Sequence, residues 1–434
     1  MKTKVTSVMG MLVLVILVIS MLVTTGCSSA TTAATTSVPA APAASTAPAA
    51  SSASAASTAP AASASASTET LKIGLVCNFG WILGLDMIHS LRVAAEMDNA
   101  AGGWEIGGKK YQVELIEYDT KNSQTSATSA INKLVFEDKV NFILFDNNLA
   151  DACLPITEAN KVIVLEGSPT PVCLLPDKQY SFQTALVNCQ YAALAGYLAK
   201  TFPDKKTMIC ATTDDQVGHA TSEAIVNSCK VFGITTTMEF FPTTATDLSA
   251  VGTKVKNANP DFFDSEGGAL PYKAVYDSGY RGQLVALNPL PYSSAVALSG
   301  KDALEGEVSA AWPVEFDPAL TTTAQEFKAA YITKYGAWDS PEVQCTADYY
   351  CLKAALIKAG TLDTTAVANV IASGLEFDSL NGTCEMVARP DLGNTRTVDS
   401  VVAYPIKKVV DGKITQFATM TLEEVKSYFV QVYK

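Results

Sequence analysis

The segment "SPT" at 168–170 carries side chains that could bind an anionic ligand. Ser168 and Thr170 directly follow the apolar run "KVIVLEG", at the mouth of a predicted strand. Hydroxyls, together with backbone N–H groups at the start of a helix, can hold a carboxylate. An ordinary proline-containing turn explains the same residues, so the segment by itself predicts either a carboxylate site or a turn.

Acidic and aromatic side chains in three other loops are further candidates for chemistry. Asp214 and Asp215 lie in "DDQVGHA" and Glu266 lies in "DSEGG". Each acid could serve as a proton donor or acceptor, or it could be a solvated loop charge or a helix cap. Phe79 and Trp81 lie in "CNFGWILGLD", where an aromatic ring could cover a ligand or pack on the protein surface.

Metal, redox and catalytic chemistry have little support in the sequence. The two histidines, His89 and His219, are far apart and fit no metal-ligand spacing. Nine cysteines follow Cys27 without a CxxC pair, and several, such as Cys77 and Cys210, lie inside apolar strands. The sequence contains no P-loop, GxSxG or complete GxGxxG motif. We therefore predict no metal, no cofactor and no catalytic site.

The elements that must position these loops alternate between strand and helix from Leu71 onward. Predicted strands are 71–77, 111–119, 140–145 and 161–167, and predicted helices are 85–103, 124–136 and 150–160. Repeated βαβ units with short loops predict an α/β fold with a parallel, doubly wound sheet. Ligands of such sheets bind at the carboxyl ends of the strands.

A second run of the same kind begins after Gln183. Its predicted strands are 206–211, 233–241, 261–265 and 283–287, and its predicted helices are 191–200, 222–232, 248–257 and 270–277. One sheet with so many strands is uncommon, so this run predicts a second lobe. Two helical patterns, 321–336 and 347–360, then precede short strand-like segments that finish the chain. Two lobes predict a cleft between them.

The N-terminal segment has the three-part pattern of an export signal. Lys2 and Lys4 precede an apolar run at 8–23, which is shorter than the roughly 20 residues of a membrane-spanning helix. The end of the run, "TTGC", resembles the lipobox of bacterial lipoproteins, which implies cleavage after residue 26 and a lipid on Cys27. Residues 28–68 are almost wholly Ala, Ser, Thr and Pro, which predicts a disordered tether with a reach of about 35 Å.

The charge balance excludes some partners. The 434-residue chain carries a net charge of −12, with a sequence pI of about 4.8. Lys2 and Lys4 are the only charged residues before Glu69, so the rest has 29 basic against 43 acidic residues, a net charge of −14. This excess of acids disfavours nucleic acids and anionic lipid headgroups, and leaves small ligands and neutral partners.

Residues 71–145 resemble the start of the leucine/isoleucine/valine-type extracellular solute-binding proteins of ABC transporters. The resemblance rests on "LKIGLVCNFGWILGLDMIHSLRVAAEMDNAAGG" and "KKYQVELIEYDTKNSQTSATSAINKLVFEDKVNFILF", and later on "LEGSPTP", "TTDDQVG" and "DSGYRGQLVAL". It implies a type I periplasmic binding protein fold, with two Rossmann-like lobes joined by three hinge crossovers. Lobe 1 would comprise 71–187 and 313–398, and lobe 2 would comprise 188–312 and 399–434.

The resemblance also implies which residues bind a ligand. The loop after the third strand and the "SPT" loop would bind a ligand carboxylate, through residues Asn147, Asn148, Leu149, Ser168 and Thr170. Family members that bind amino acids have Tyr where Val217 stands, and an acidic ammonium partner in the loop that here reads "NPLPYSS". Asp214, Asp215 or Glu266 could replace that acid, with Gln216 and Tyr292 as polar contacts from lobe 2. The expected ligand is an amino acid, or a carboxylic or aromatic acid that lacks the amine.

The resulting prediction is an extracytoplasmic, lipid-anchored, monomeric solute-binding protein that delivers its ligand to the permease of an ABC transporter. The same fold could instead serve as a sensory module that signals to a membrane partner. A surface enzyme using Asp214, Asp215 or Glu266 is the third hypothesis.

Overall fold

The structure, a computed structural model, describes residues 68–146, 152–167, 171–184, 186–266, 268–289, 292–310, 321–338 and 346–434. These ranges exclude the predicted signal peptide, the predicted lipid site Cys27 and residues 28–67 of the predicted tether. They also exclude five predicted site residues: Asn147, Asn148, Leu149, Ser168 and Thr170. No helix within the described ranges is both long enough and apolar enough to cross a membrane.

Strands and helices alternate through most of the described chain. The strands are β1 (Glu69–Cys77), β2 (Trp104–Ile106), β3 (Lys109–Asp119), β4 (Phe142–Asp146), β5 (Ile163–Glu166), β6 (Ser181–Gln183), β7 (Thr207–Thr213), β8 (Thr235–Phe241), β9 (Phe262–Ser265), β10 (Gln283–Ala286), β11 (Val308–Ala310), β12 (Glu376–Ser379), β13 (Gly382–Arg389), β14 (Asn394–Val401), β15 (Tyr404–Val410) and β16 (Lys413–Met420). The α-helices are α1 (Ile82–Ala100), α2 (Gln124–Asn132), α3 (Leu154–Ala159), α4 (Val187–Thr201), α5 (Gln216–Val231), α6 (Ser249–Ala258), α7 (Leu270–Asp277), α8 (Tyr292–Ser299), α9 (Thr322–Tyr335), α10 (Thr346–Ala359), α11 (Thr364–Ile371) and α12 (Leu422–Val432).

The first sheet forms the centre of one lobe, with the strand order β2-β3-β1-β4-β5-β6. Its neighbouring strands pair in parallel, except for the β2–β3 hairpin. Every residue from Ile73 to Cys77 of β1 is buried, because both faces of a parallel sheet are covered by other elements. The five parallel strands therefore end at one common edge.

The chain returns to this lobe after β11, through α9, α10 and α11. Asp98, near the end of α1, fixes this return: Lys353 Nζ lies 2.6 Å from Asp98 Oδ1, and Tyr349 Oη donates to Asp98 Oδ2 at 2.9 Å. Trp104 Nε1 donates to the same Oδ2 at 2.7 Å. One carboxylate thus joins α1, β2 and α10.

The second sheet has the order β16-β15-β11-β10-β9-β7-β8. Strands β7 to β11 pair in parallel, whereas β15 is antiparallel to β11 and to β16. The two lobes and their parallel-type sheets confirm the predicted fold class. A separate antiparallel sheet, β12-β13-β14, precedes β15.

A buried polar network lies where the chain passes between the lobes. Asn188, in the first turn of α4, donates to Gln183 Oε1 of β6 at 2.7 Å and to Asp399 Oδ2 of β14 at 2.9 Å. Arg389 Nη1 lies 2.9 Å from the same Asp399 oxygen, and its other nitrogens bind Asp391. The network therefore ties the β6–α4 connection to β14, the last strand before the chain crosses back to β15.

The structure departs from the sequence predictions in three places. Helices α4 and α5 begin at Val187 and Gln216, four and six residues before the predicted starts, because their first turns carry polar residues that hide the apolar period. Strands β2, β6 and β11, of three residues each, are too short to give a clear period, and helices α8 and α11 were not predicted. The predicted strand-like segments after 360 are present as β12 to β16, but helix α12 follows them, with Val425, Phe429 and Val432 buried.

Candidate functional site

Asp264 lies inside the second lobe, near the carboxyl end of β9. The side chain is fully buried, accepts a hydrogen bond from Leu287 N at 3.0 Å, and lies 3.1 Å from the Cys210 thiol. Burial disfavours its charged form and raises its pKa to about 6, and the nearby carboxyl of Glu307 contributes in the same direction. Both of these hydrogen-bond partners of Asp264 are uncharged.

Glu266, a predicted ligand contact, follows β9 directly and extends its pairing, since Glu266 N donates to Ala211 O at 3.0 Å. Its Oε2 lies 3.5 Å from Tyr191 Oη of α4, while its Oε1 is buried without a hydrogen-bond partner. Desolvation, together with repulsion from Asp264, raises the Glu266 pKa well above 4.5. Asn288 and Tyr191 partly oppose this rise through hydrogen bonds. Glu266 is thus a desolvated acceptor at the carboxyl edge of the sheet.

A small cavity lies on the other face of this sheet, under α7 and α8. Its volume of about 10 Å³ is room for one water molecule, and it is lined in part by Ser265, Asn288, Tyr292, Glu307 and Lys407. Lys407 is only 2% exposed and lines this cavity together with Glu307. Tyr292, a predicted contact, has a buried hydroxyl without a hydrogen-bond partner. This cavity brings Tyr292 close to the β9 and β10 ends.

The two other predicted acids have structural contacts instead. Asp215 is the N-cap of α5, where its Oδ1 accepts from Gly218 N at 2.8 Å. Asp214 is exposed and lies 2.9 Å from His219 Nε2. Asp215 is thus a helix cap and Asp214 a solvated loop charge, which are the two structural alternatives that the sequence analysis gave for these acids. Gln216 begins α5, and the position of its side chain lies outside the described structure.

The predicted aromatic loop precedes α1 in the first lobe. Phe79 is partly buried against the core, and its backbone N–H donates to Asp119 Oδ1 at 3.1 Å, which joins the ends of β1 and β3. Trp81 is the N-cap residue of α1 and is 47% exposed. Gly84 is required in this turn, because a Cβ there would lie 2.2 Å from Asn78 O. The loop therefore holds an exposed indole at the carboxyl edge of the first sheet.

Other polar groups lie at the strand ends that the sequence analysis did not predict as site residues. Glu166 ends β5 and is fully buried, directly before the predicted 168–170 loop. Thr184 follows β6 and donates to buried Asp348 of α10. An acid within an apolar run, as in "DFFDS" around Asp264, is the signal that could have identified such residues. Tyr191 and Asp348 lie on helices and left no such signal.

Cysteines and metals offer no alternative chemistry in the described chain. Its eight cysteines are all buried, and burial raises the pKa of the Cys229 and Cys384 thiols to about 12, far from a reactive thiolate. No group of three or more metal-ligating side chains occurs among the described residues. The described residues at the lobe edges offer buried hydrogen-bond acceptors, such as Glu266 Oε1.

Comparisons with known proteins agree with this geometry. The sequence model described as "Periplasmic binding protein" matches residues 70–400. The leucine-binding protein LivK of Thermotoga maritima superposes with a TM-score of 0.66 at 20% identity, over 82% of this chain and 99% of that one. A solute-binding protein of an ABC transporter from Rhodopseudomonas palustris, in complex with 3,4-dihydroxybenzoic acid, superposes with a TM-score of 0.64 at 20% identity. The match covers 81% of this chain and 98% of that one. A third protein, a solute-binding protein of an ABC transporter from R. palustris in complex with 4-hydroxybenzoate, superposes with a TM-score of 0.64 at 17% identity. The match covers 81% of this chain and 97% of that one.

Proposed function

Because the chain belongs to the periplasmic binding protein family, we propose that it captures a small solute between its two lobes and delivers it to the permease of an ABC transporter. Membership implies a solute-binding role outside the cytoplasm and no enzymatic activity. The observation that carries the proposal is Glu266, an acceptor buried without a full set of partners at the carboxyl edge of a parallel sheet. Open α/β sheets bind their ligands at this edge.

The proposed capture is a hinge motion. A ligand that contacts both lobes favours the closed arrangement, because only that arrangement makes both sets of contacts. We propose lobe 1 as 71–187 with 313–398 and lobe 2 as 188–312 with 399–434. The polar network around Asn188 and Asp399 supports a hinge beside these boundaries, since it connects β6, α4 and β14.

The proposed ligand is an amino acid or a carboxylic or aromatic acid. Its carboxylate would bind in lobe 1 to the loops that contain Asn147, Asn148, Leu149, Ser168 and Thr170. Phe79 and Trp81 would cover its apolar part, while Gln216, Glu266 and Tyr292 would contact it from lobe 2. Solved structures of this fold include a leucine-binding protein and complexes with two hydroxylated benzoic acids, which supports both ligand classes.

We propose that the protein is held at the membrane by a lipid on Cys27. A diacylglycerol on the thiol and an acyl chain on the amine provide the two-chain anchoring that stable retention requires. Residues 28–68 would then let a monomeric binding protein reach the permease from this anchor.

Native mass spectrometry of the full chain, purified in detergent, tests the proposed function directly. We expect a co-purified acid or amino acid, and thermal stabilisation by that compound but not by unrelated sugars, because ligands that bind only the folded state raise its melting temperature. Unchanged melting across amino acids, benzoates and aliphatic acids, with no co-purified molecule, would contradict it. Ser168→Ala with Thr170→Val should weaken binding of the identified compound; equal affinity would contradict the proposed carboxylate site.

A further inference from the structure

The first turn of α4 contacts the described ends of three connections between sheets: β6 to α4, β11 to α9, and β14 to β15. Asn188 Nδ2 donates to Gln183 Oε1, in the last residue of β6, at 2.7 Å, and to Asp399 Oδ2 of β14 at 2.9 Å. Gln190 Nε2 donates to the backbone oxygen of Ala310, the last residue of β11, at 2.8 Å. Side chains of a single helical turn therefore join all three connections.

Leu186, the N-cap residue of α4, has an unusual backbone conformation. Its φ of 67° and ψ of 10° lie in the left-handed region. A bulky side chain adopts this region only at a steric cost, because Cβ comes too close to the following carbonyl oxygen. The six other non-glycine residues of the described chain with a positive φ are exposed Lys, Asn or Asp residues, whereas Leu186 is fully buried. Leu186 is thus a strained residue at a connection between the sheets.

Tyr404 holds the Leu186 peptide from another connection. It is the first residue of β15, is fully buried, and donates from its hydroxyl to Leu186 O at 2.9 Å. The same oxygen accepts from Gln190 N at 3.0 Å. Strained residues persist only where the surrounding contacts over-determine them, and they cluster at clamps and switch regions. The Tyr404 bond therefore ties the β14–β15 connection to the strained residue of the β6–α4 connection.

We propose that Leu186 is the pivot of lobe closure: the Tyr404 hydroxyl holds its backbone in the left-handed region at one angle between the lobes, and Leu186 leaves that region when the lobes rotate. A few residues in the connections of a hinge absorb the change in φ and ψ that a rotation requires. A steric cost that is present at one angle and absent at the other biases the equilibrium between them. This inference rests on the hinge motion of the proposed function.

Distances between spin labels in the full chain without solute test the pivot. Labels introduced as non-canonical amino acids at exposed Thr125 on α2 and Ala250 on α6 report on the two lobes. Tyr404→Phe keeps the ring and removes the hydroxyl. We expect it to widen the inter-lobe distance distribution, because the strained backbone is no longer held.

Tyr280→Phe is the matched control for Tyr404→Phe. The buried Tyr280 hydroxyl also donates to a backbone oxygen at 2.9 Å, that of Pro260, but within the second lobe. It should leave the inter-lobe distribution unchanged. Equal effects in the two variants, or no effect of Tyr404→Phe, would overturn the proposal.

Leu186→Gly connects the Tyr404 bond with the strain. Glycine adopts a positive φ without steric cost, so this variant has no strain for Tyr404→Phe to release. Tyr404→Phe should therefore widen the distribution less in the Leu186→Gly background than in the wild type, as expected for two coupled sites. Equal widening in both backgrounds would overturn the pivot. If Leu186→Gly does not fold, Tyr404→Phe and its control decide alone.

Chemical denaturation measures the strain itself. The equilibrium constant for unfolding should be about threefold lower in Leu186→Gly than in Leu186→Ala, because only glycine avoids the steric cost of the left-handed region. Leu194, a buried residue inside α4, is the control: there the Gly variant should unfold about fivefold more readily than the Ala variant. The same order at both positions would show that Leu186 is not strained and would overturn the pivot.

None of these measurements needs a solute, which separates the pivot from the proposed function. If no solute co-purifies and none of the tested acids binds, but the effect of Tyr404→Phe depends on Leu186, the proposed function fails and the pivot stands. If a solute binds and the effect of Tyr404→Phe does not depend on Leu186, the proposed function stands and the pivot fails.

Discussion

Arg389 brings a full positive charge into the interior beside the connections between the lobes. Its side chain is 5% exposed, lies 2.9 Å from the fully buried Asp399, and stacks 4.0 Å from the ring centre of Tyr433. Arg389 offsets the desolvation cost of Asp399, which would otherwise be buried without this counterion, whereas Arg389 itself also pairs with Asp391. Arg389 is therefore a sensitive probe of the proposed hinge region.

Arg389→Met should lower the free energy of unfolding by about 3–5 kcal/mol, since it leaves Asp399 buried without its cation. Chemical denaturation measures the loss. Lys273→Met is the control: it breaks an ion pair with Asp277 in which both side chains are about half exposed, and we expect no change beyond error. A small loss in Arg389→Met would show that Asn188 and solvent can satisfy Asp399 without the guanidinium.

The roles of single acids were only partly predictable from the sequence. Glu266 and Asp215 look alike there, as acids in polar loops, and only the structure shows that one is desolvated and the other caps a helix. Asp264 could have been suspected from its place in an apolar strand. The contact of Tyr191 with Glu266 spans 75 residues of sequence, and no local pattern encodes it.

At the scale of the element, α5 shows how a short polar motif sets a helix start. Asp215 accepts the Gly218 N–H, and a Cβ on Gly218 would lie 2.0 Å from Thr213 O, so the tight turn after β7 requires glycine. The cap explains why α5 begins six residues before its apolar period becomes visible. It also gives Asp215 a role that needs no ligand.

Asp215→Ala should lower the free energy of unfolding by about 1 kcal/mol, the usual effect of losing an N-cap, whereas Asp215→Asn should retain most of it. Ligand affinity should stay unchanged in both variants. Asp363→Ala is the matched control, because Asp363 caps α11 with the same 2.8 Å bond to Ala366 N. A large loss of affinity in Asp215→Asn would instead assign Asp215 to the ligand site.

Long apolar elements were predicted well, as were the short helix α7 and the capped helices α2 and α9, whereas the start of α5 and the three-residue strands were not. Strands β1, β3, β4 and β5 and their counterparts in the second lobe follow the predicted runs closely. The C-terminal helix was missed although its signals are present: Thr421 caps Glu424 N at 3.2 Å, and buried residues recur at Val425, Phe429 and Val432. The strand-like patterns of β15 and β16 directly precede this helix and predict strand beyond its start.

At the scale of the whole molecule, the chain crosses between two parallel-type sheets, and a buried polar network lies beside these crossovers. A solute that touches both edges shifts the molecule towards a closed state by its difference in affinity for the two states. Sequence patterns predicted the two lobes. They could not predict the buried polar network, because Asn188 and Asp399 are 211 residues apart.

The distance between the lobes measures this closure most directly. Spin labels introduced as non-canonical amino acids at Thr125 on α2 and Ala250 on α6, both exposed, report on lobes 1 and 2, and a pair at Thr125 and Lys358 within lobe 1 is the control. With the co-purified solute added to the full chain in detergent, the inter-lobe distance should shorten and its distribution narrow, while the control pair stays constant. An unchanged inter-lobe distribution at saturating solute would contradict capture between the lobes.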